Sequence, residues 1–172
     1  MDYNLLTFDT ESDVEQKFVY NILTQHSPIG LGFSNEQIKT KLDIRKIKIG
    51  KGTSSKYYFP DYIIITNGLP SLIVEVKSPK EDIAEGFREA RLYANEINSS
   101  YPPKINPCKF IISTNGLDTY CGFWDSDVPQ YSFKLADCIL TNENFNFFIE
   151  NFSNLAISNY ATSLKSEFRG GT

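Results

Sequence analysis

The strongest constraint on this chain lies between residues 61 and 77. Tyr62-Ile63-Ile64-Ile65-Thr66 and Leu72-Ile73-Val74-Glu75-Val76 are rich in β-branched residues and apolar on both faces, with Asn67-Gly68 between them. Asn-Gly supplies the two left-handed residues of a tight hairpin turn, so the runs predict paired antiparallel strands. Strands that are apolar on both faces belong inside a sheet covered on both sides. Pro79 stops the second strand.

Into this buried pair the sequence inserts charge. Asp61 opens the first strand. Glu75 and Lys77 leave the second strand on one face, and Leu72, Val74 and Val76 occupy the other, because side chains alternate. Buried charges are costly unless they are paired or bind a metal. The plain alternative is a Glu75–Lys77 ion pair at the strand end. Register decides whether Asp61 joins them. A four-residue loop over 67–70 pairs Asp61 with Val76 and turns it away from Glu75. A loop of three or five residues, or a bulge near Pro60-Asp61, brings both acids to one face. Two carboxylates meeting there need a cation between them. A hard divalent ion with oxygen ligands, such as Mg²⁺, suits two carboxylates and water.

The surrounding pattern alternates helices and strands. Thr10 reads as an N-cap with Asp13 at the capping-box position, opening a helix near 11–25 on Val14, Phe18, Ile22 and Leu23. Ser34 predicts a cap for a short helix over 35–41. Residues 43–59 alternate loosely, as an edge strand would. A helix over 80–98 buries Ile83, Phe87, Ala90, Ala94 and Ile97. Strands follow at 110–113, 118–124 and 130–134. Thr114-Asn115-Gly116-Leu117 repeats Thr66-Asn67-Gly68-Leu69, which predicts the same turn used twice. A helix over 142–168 closes the chain on Phe145, Phe148, Ile149, Phe152 and Leu155. These elements predict one α/β domain over residues 1–168, a mixed central sheet flanked by helices, with 169–172 as a linker or tail.

Several function classes are disfavoured. Cys108, Cys121 and Cys138 form no CxxC pair, so zinc and a disulfide framework are not expected, and Cys108 and Cys121, in predicted strands, are expected as buried reduced thiols. His26 is the sole histidine, which leaves little for a Ser-His or Cys-His mechanism. Gly50-Lys51-Gly52-Thr53 lacks the spacing of an ATP-binding loop, so ATP is not expected to bind this chain. No apolar run approaches the ~18–20 residues of a membrane helix, and the acidic N-terminus does not read as a signal peptide. A cytoplasmic protein is expected. The net charge of −4 hides an asymmetry. Between Lys39 and Lys56 seven basic residues face only Asp43, giving that segment +6 and leaving −10 elsewhere. Such a strip can dock phosphates on an acidic chain.

Pro60-Asp61 followed by Glu75-Val76-Lys77 resembles the PD-(D/E)xK motif of restriction-endonuclease-like nucleases. The wider run is similar to the N-terminal endonuclease domain of type I restriction enzyme R subunits. The resemblance implies a restriction-endonuclease-like fold and Mg²⁺-dependent cleavage of DNA, with Mn²⁺ able to substitute. It implies Asp61, Glu75, Lys77 and Glu11 as catalytic residues, with Glu15 the alternative to Glu11 on the opening helix. Asp61, Glu75, the Val76 carbonyl and Glu11 would hold the metal. Arg45, Lys46, Lys48 and Lys51 would grip the DNA backbone. The family's Gln-x-x-x-Tyr pair falls on Glu89 and Tyr93, with glutamate in place of glutamine. A helicase or translocase domain and methylase and specificity subunits are the implied partners, so the chain is expected to be an excised module or a stand-alone relative. The rival expectation is a nuclease-like module that only binds nucleic acid or supports assembly.

Overall fold

In this computed structural model, residues 1–41 and 59–170 are described. Six strands form one sheet in sequential order: β1 Ile38–Thr40, β2 Tyr62–Thr66, β3 Leu69–Val76, β4 Phe110–Thr114, β5 Asp118–Phe123 and β6 Tyr131–Lys134. All neighbours are antiparallel except β3 and β4. That parallel pair requires a crossover, which helix α2 (Ile83–Asn98) supplies.

Helix α1 runs over residues 11–24. Thr10 accepts from the Asp13 N–H at 3.1 Å, and Asp13 accepts in return from the Thr10 N–H, forming the expected capping box. Its middle, Val14–Val19, is wound as a π-helix. Helices α3 (Glu143–Asn151) and α4 (Asn154–Gly170) end the described chain.

The alternation of strand side chains builds two cores. On one face Ile64, Leu72, Val74 and Val76 pack with Phe18 and Ile22 of α1 and with Phe145, Phe148, Phe152 and Ile157. On the other, Ile63, Ile73 and Ile111 meet Phe87, Ala90, Ala94 and Ile97 of α2. The result is a mixed sheet flanked by helices, the restriction-endonuclease-like α/β architecture.

Three local expectations are corrected. Residues 35–40 do not form a helix: Asn35–Gln37 make a single 3₁₀ turn, and Ile38–Thr40 then pair with Tyr62–Ile64. The two Asn-Gly turns differ. Asn67 and Gly68 both take positive φ, giving a two-residue loop in which Thr66 pairs Leu69. At the second site only Gly116 is left-handed. The Asn115 side chain there accepts from the N–H groups of Leu117 and Asp118, and Thr114 pairs Thr119. The terminal helix breaks after Asn151, so Phe152 and Ile157 are buried while Leu155 is 73% exposed. The predicted strand at 43–59 falls almost entirely outside the described residues.

The three cysteines are free and buried. Among the described residues no helix is long and apolar enough to cross a membrane.

Candidate metal centre

A single extra residue sets the site. From the turn, Thr66 pairs Leu69 and Ile65 pairs Pro70, yet Ile64 pairs Leu72, so Ser71 is a bulge. Its hydroxyl meets the Thr66 hydroxyl and the Leu69 carbonyl inside the sheet. A two-residue turn without that bulge would set Asp61 opposite Val74. With it Tyr62 pairs Val74, and the next step sets Asp61 beside Glu75. The parity condition on the loop is therefore met by a bulge at Ser71, not at Pro60-Asp61.

The contact is direct. The Asp61 N–H donates to Glu75 Oε1 at 3.2 Å, and the Val76 N–H donates to Asp61 Oδ2 at 2.7 Å. Both acids are buried, with 6% and 5% exposure. Across the parallel pair Glu75 sits beside Ser113, whose hydroxyl donates to the Ile83 carbonyl at the start of α2. Lys77 emerges beyond the end of β3, and its N–H donates to the Thr114 carbonyl at 2.8 Å.

Helix α1 brings further acids from the other side. Glu11, Glu15 and Asp61 each offer a carboxylate oxygen, and these lie within 4.8 Å of one another. Both first-helix acids, Glu11 and Glu15, therefore approach Asp61. Glu75 is not part of that tight group but touches it through the Asp61 backbone. Glu15 also hydrogen-bonds the Tyr62 hydroxyl.

Crowded acids in a poorly solvated corner resist ionisation. Burial, then the charges of Asp61 and Glu89, push the Glu75 carboxyl up to about 9. Burial and Asp61 likewise raise Glu11 and Glu15. An all-carboxylate oxygen donor set short of positive charge fits a hard divalent cation.

Two lysines reach the corner. Lys77 pairs with Glu89 at 3.3 Å and not with Glu75 as the plain reading had it. Burial alone would lower the Lys77 pKa, but the Glu89 hydrogen bond and charge, with Glu75, outweigh it and raise it. Tyr93 lies one turn beyond Glu89 on the same face of α2, half-buried. The second lysine, Lys41, sits 2.8 Å from Asp61 Oδ1. In the sequence Lys41 stands out only as part of the basic strip, because the Ser34 cap points to a helix where β1 forms. Arg45, Lys46, Lys48 and Lys51 lie outside the described residues.

Strand order, the parallel central pair and acids gathered at the strand ends together define a restriction-endonuclease-like domain. Residues 36–123 match the family described as type I restriction enzyme R protein N terminus, which is just over half of the chain. The chain belongs to that family, which ties it to restriction–modification systems. The match contains Asp61, Glu75, Lys77, Glu89 and Tyr93 but begins after α1. No curated protein and no solved structure matches the chain.

Proposed function

We propose that this chain is the metal-dependent DNA endonuclease module of a type I restriction R subunit, or a stand-alone relative, and hydrolyses a phosphodiester bond. The observation that carries the reading is the buried corner where Asp61 meets Glu75 on one side and Glu11 and Glu15 on the other.

Asp61, Glu75, Glu11 and the Val76 carbonyl would hold Mg²⁺, with Glu15 beside them; Mn²⁺ can substitute. A divalent ion so bound supplies polarisation of the phosphate and a water of lowered pKa. The chain's own residues do the rest. The Val76 N–H fixes Asp61 Oδ2, so the carboxylate is oriented in advance. Lys77, kept charged by Glu89, positions the attacking water and offsets charge building on the phosphate; its raised pKa disfavours a role as base.

The rim itself suggests where DNA lies. Beyond α2, a recess of ≈ 510 Å³ is lined by Glu81, Asp82, Asp118 and Asp137 against Lys134 alone, a poor surface for phosphates. The opposite edge of the sheet carries Lys39 and Lys41 on and beside β1, and Arg45, Lys46, Lys48 and Lys51 follow them in sequence, outside the described residues. Those four would grip the backbone without reading sequence, with affinity falling steeply as salt rises. A translocase domain and the methylase and specificity subunits would supply ATP-driven movement and sequence choice.

One observation favours a weaker enzyme that mainly binds nucleic acid: the Lys77 ammonium is engaged by Glu89. Incubation with plasmid, linear and single-stranded DNA plus Mn²⁺, beside the Asp61→Ala protein, separates the readings. Nicking by the wild type that the variant lacks supports the nuclease. DNA binding without cleavage by either supports the binding module.

A further inference from the structure

An ion pair places one more residue in the acidic corner. Thr40 of β1 pairs Tyr62 of β2, and Lys41, where the chain leaves the strand, reaches Asp61 from the flank opposite Glu75. Lys41, Asp61, Glu75 and Ser113 thus form a row across four neighbouring chain segments. The Lys41 ammonium lies 2.8 Å from Asp61 Oδ1, while Oδ2 is occupied by the Val76 N–H. Both oxygens of the buried carboxylate are therefore engaged. The lysine itself is not buried: its side chain is 52% exposed, against 5% for Asp61.

An ammonium and a divalent cation cannot share this seat. A divalent ion held by Asp61 would sit next to an ammonium still bonded to the same carboxylate, and like charges so close repel strongly in a poorly solvated site. Lys41 has a four-carbon stem, half of it in solvent, and can leave; Asp61 cannot. Resting on the metal-dependent reading above, we infer that Lys41 is an exchangeable counter-ion. It neutralises Asp61 in the metal-free protein and must swing out when Mg²⁺ or Mn²⁺ enters, so it sets the metal concentration at which the site loads. The charge of Lys41 also reaches Glu11, Glu15 and Glu75, so its departure is favoured only when another cation takes over all four acids.

The test measures metal binding, not cleavage. Mn²⁺ is titrated by calorimetry into wild type, Lys41→Met and Lys41→Arg at fixed pH and salt, with Asp61→Ala as the control for the site. Lys41→Met is expected to bind Mn²⁺ about two- to fivefold more tightly, the scale of an ion pair with one half-exposed partner, and Lys41→Arg to stay near wild type. In parallel, acylation of Lys41 in the wild-type protein, followed by mass spectrometry, is expected to quicken when Mn²⁺ is added. Equal or weaker binding by Lys41→Met, with binding still lost in Asp61→Ala, overturns the exchange and leaves the metal site standing. Failure of every protein to bind Mn²⁺ overturns the metal-dependent reading and the exchange with it. Lys41 acylation that ignores Mn²⁺ in a protein that binds it overturns the exchange alone.

Discussion

The Asp61 N–H donates to the Glu75 carboxylate because Ser71, ten residues further along the chain, is skipped in the pairing of β2 with β3. The extra residue shifts the pairing by one, and a shift of one exchanges the faces of every side chain beyond it. The same shift turns Ile63 and Ile73 toward α2, and Ile64, Leu72 and Val74 toward α1 and α3. Core and site therefore depend on one local irregularity, and a change that relaxed the bulge would disturb both.

The bulge is held by a clasp between the hydroxyls of Thr66 and Ser71, which are 0% and 1% exposed. Ser71→Ala leaves the Thr66 hydroxyl without that partner in the sheet interior. Loss of a buried hydrogen bond of this kind costs about 1–3 kcal/mol. Urea unfolding of Ser71→Ala should show a stability lower by that amount, read as a lower midpoint with an unchanged slope. A midpoint equal to wild type would mean that the turn alone fixes the register.

The corner of acids predicts a pH dependence of stability. Burial and the neighbouring charges raise the Glu75 carboxyl from its ordinary 4.5 to about 9. Between those values the folded protein holds a proton that the unfolded chain has released. The stability linked to this group is therefore complete below the lower value and is lost as pH rises toward the upper one. Metal-free protein in chelator should lose melting temperature between pH 5 and pH 8, and Glu75→Gln should lose less over the same range. Parallel melting curves for the two proteins would show that Glu75 titrates normally.

Much of this was legible in the residues, and the failures have physical causes. The apolar runs, the capping box at Thr10 and the Asn67-Gly68 turn are local signals, and each produced its element. The bulge at Ser71 was not visible, because it is chosen by packing on both faces of the hairpin and not by any turn residue. β1 was read as helix since Ser34 and Gln37 do form a cap, but the cap serves only one 3₁₀ turn before the chain joins the sheet edge. That misreading hid Lys41, whose place is set by pairing with β2. The apolar positions of the terminal segment point to one continuous helix that includes Leu155; the break after Asn151 leaves Leu155 exposed and puts Ile157, Ala161 and Leu164 in the core.

Close packing under Lys77 gives a third expectation. A Cβ on Gly86 would stand 2.5 Å from Ser113 Oγ and 3.2 Å from Lys77 Cε. The Ser113 hydroxyl is not free to retreat, since it donates to the Ile83 carbonyl at 2.8 Å. Gly86→Ala gains helix propensity but overpacks this contact, for a net loss of about 1–3 kcal/mol. Thermal unfolding checks the loss. A variant more stable than wild type would mean that α2 can move away from β4 without penalty.

The Lys77–Glu89 pair yields the sharpest expectation for activity. At 3.3 Å, with both side chains partly exposed, the pair contributes little to stability, so its consequence lies in what it does to Lys77. Glu89 holds the ammonium toward α2 and adds negative charge opposite Glu75. Glu89→Gln keeps the shape and an accepting carbonyl but removes the charge. Lys77 is then freer to face the Asp61–Glu75 corner, and the Glu75 carboxyl relaxes toward its ordinary range. Both changes favour metal loading and phosphate contact, so Mn²⁺-dependent nicking should rise several-fold in Glu89→Gln and vanish in Lys77→Ala. Isotope-edited NMR of the lysine should show the Lys77 pKa falling in Glu89→Gln. If nicking falls in Glu89→Gln while the Lys77 pKa drops as expected, the Glu89 carboxylate is itself needed at the metal centre, and the ion pair is part of the machinery and not a restraint upon it.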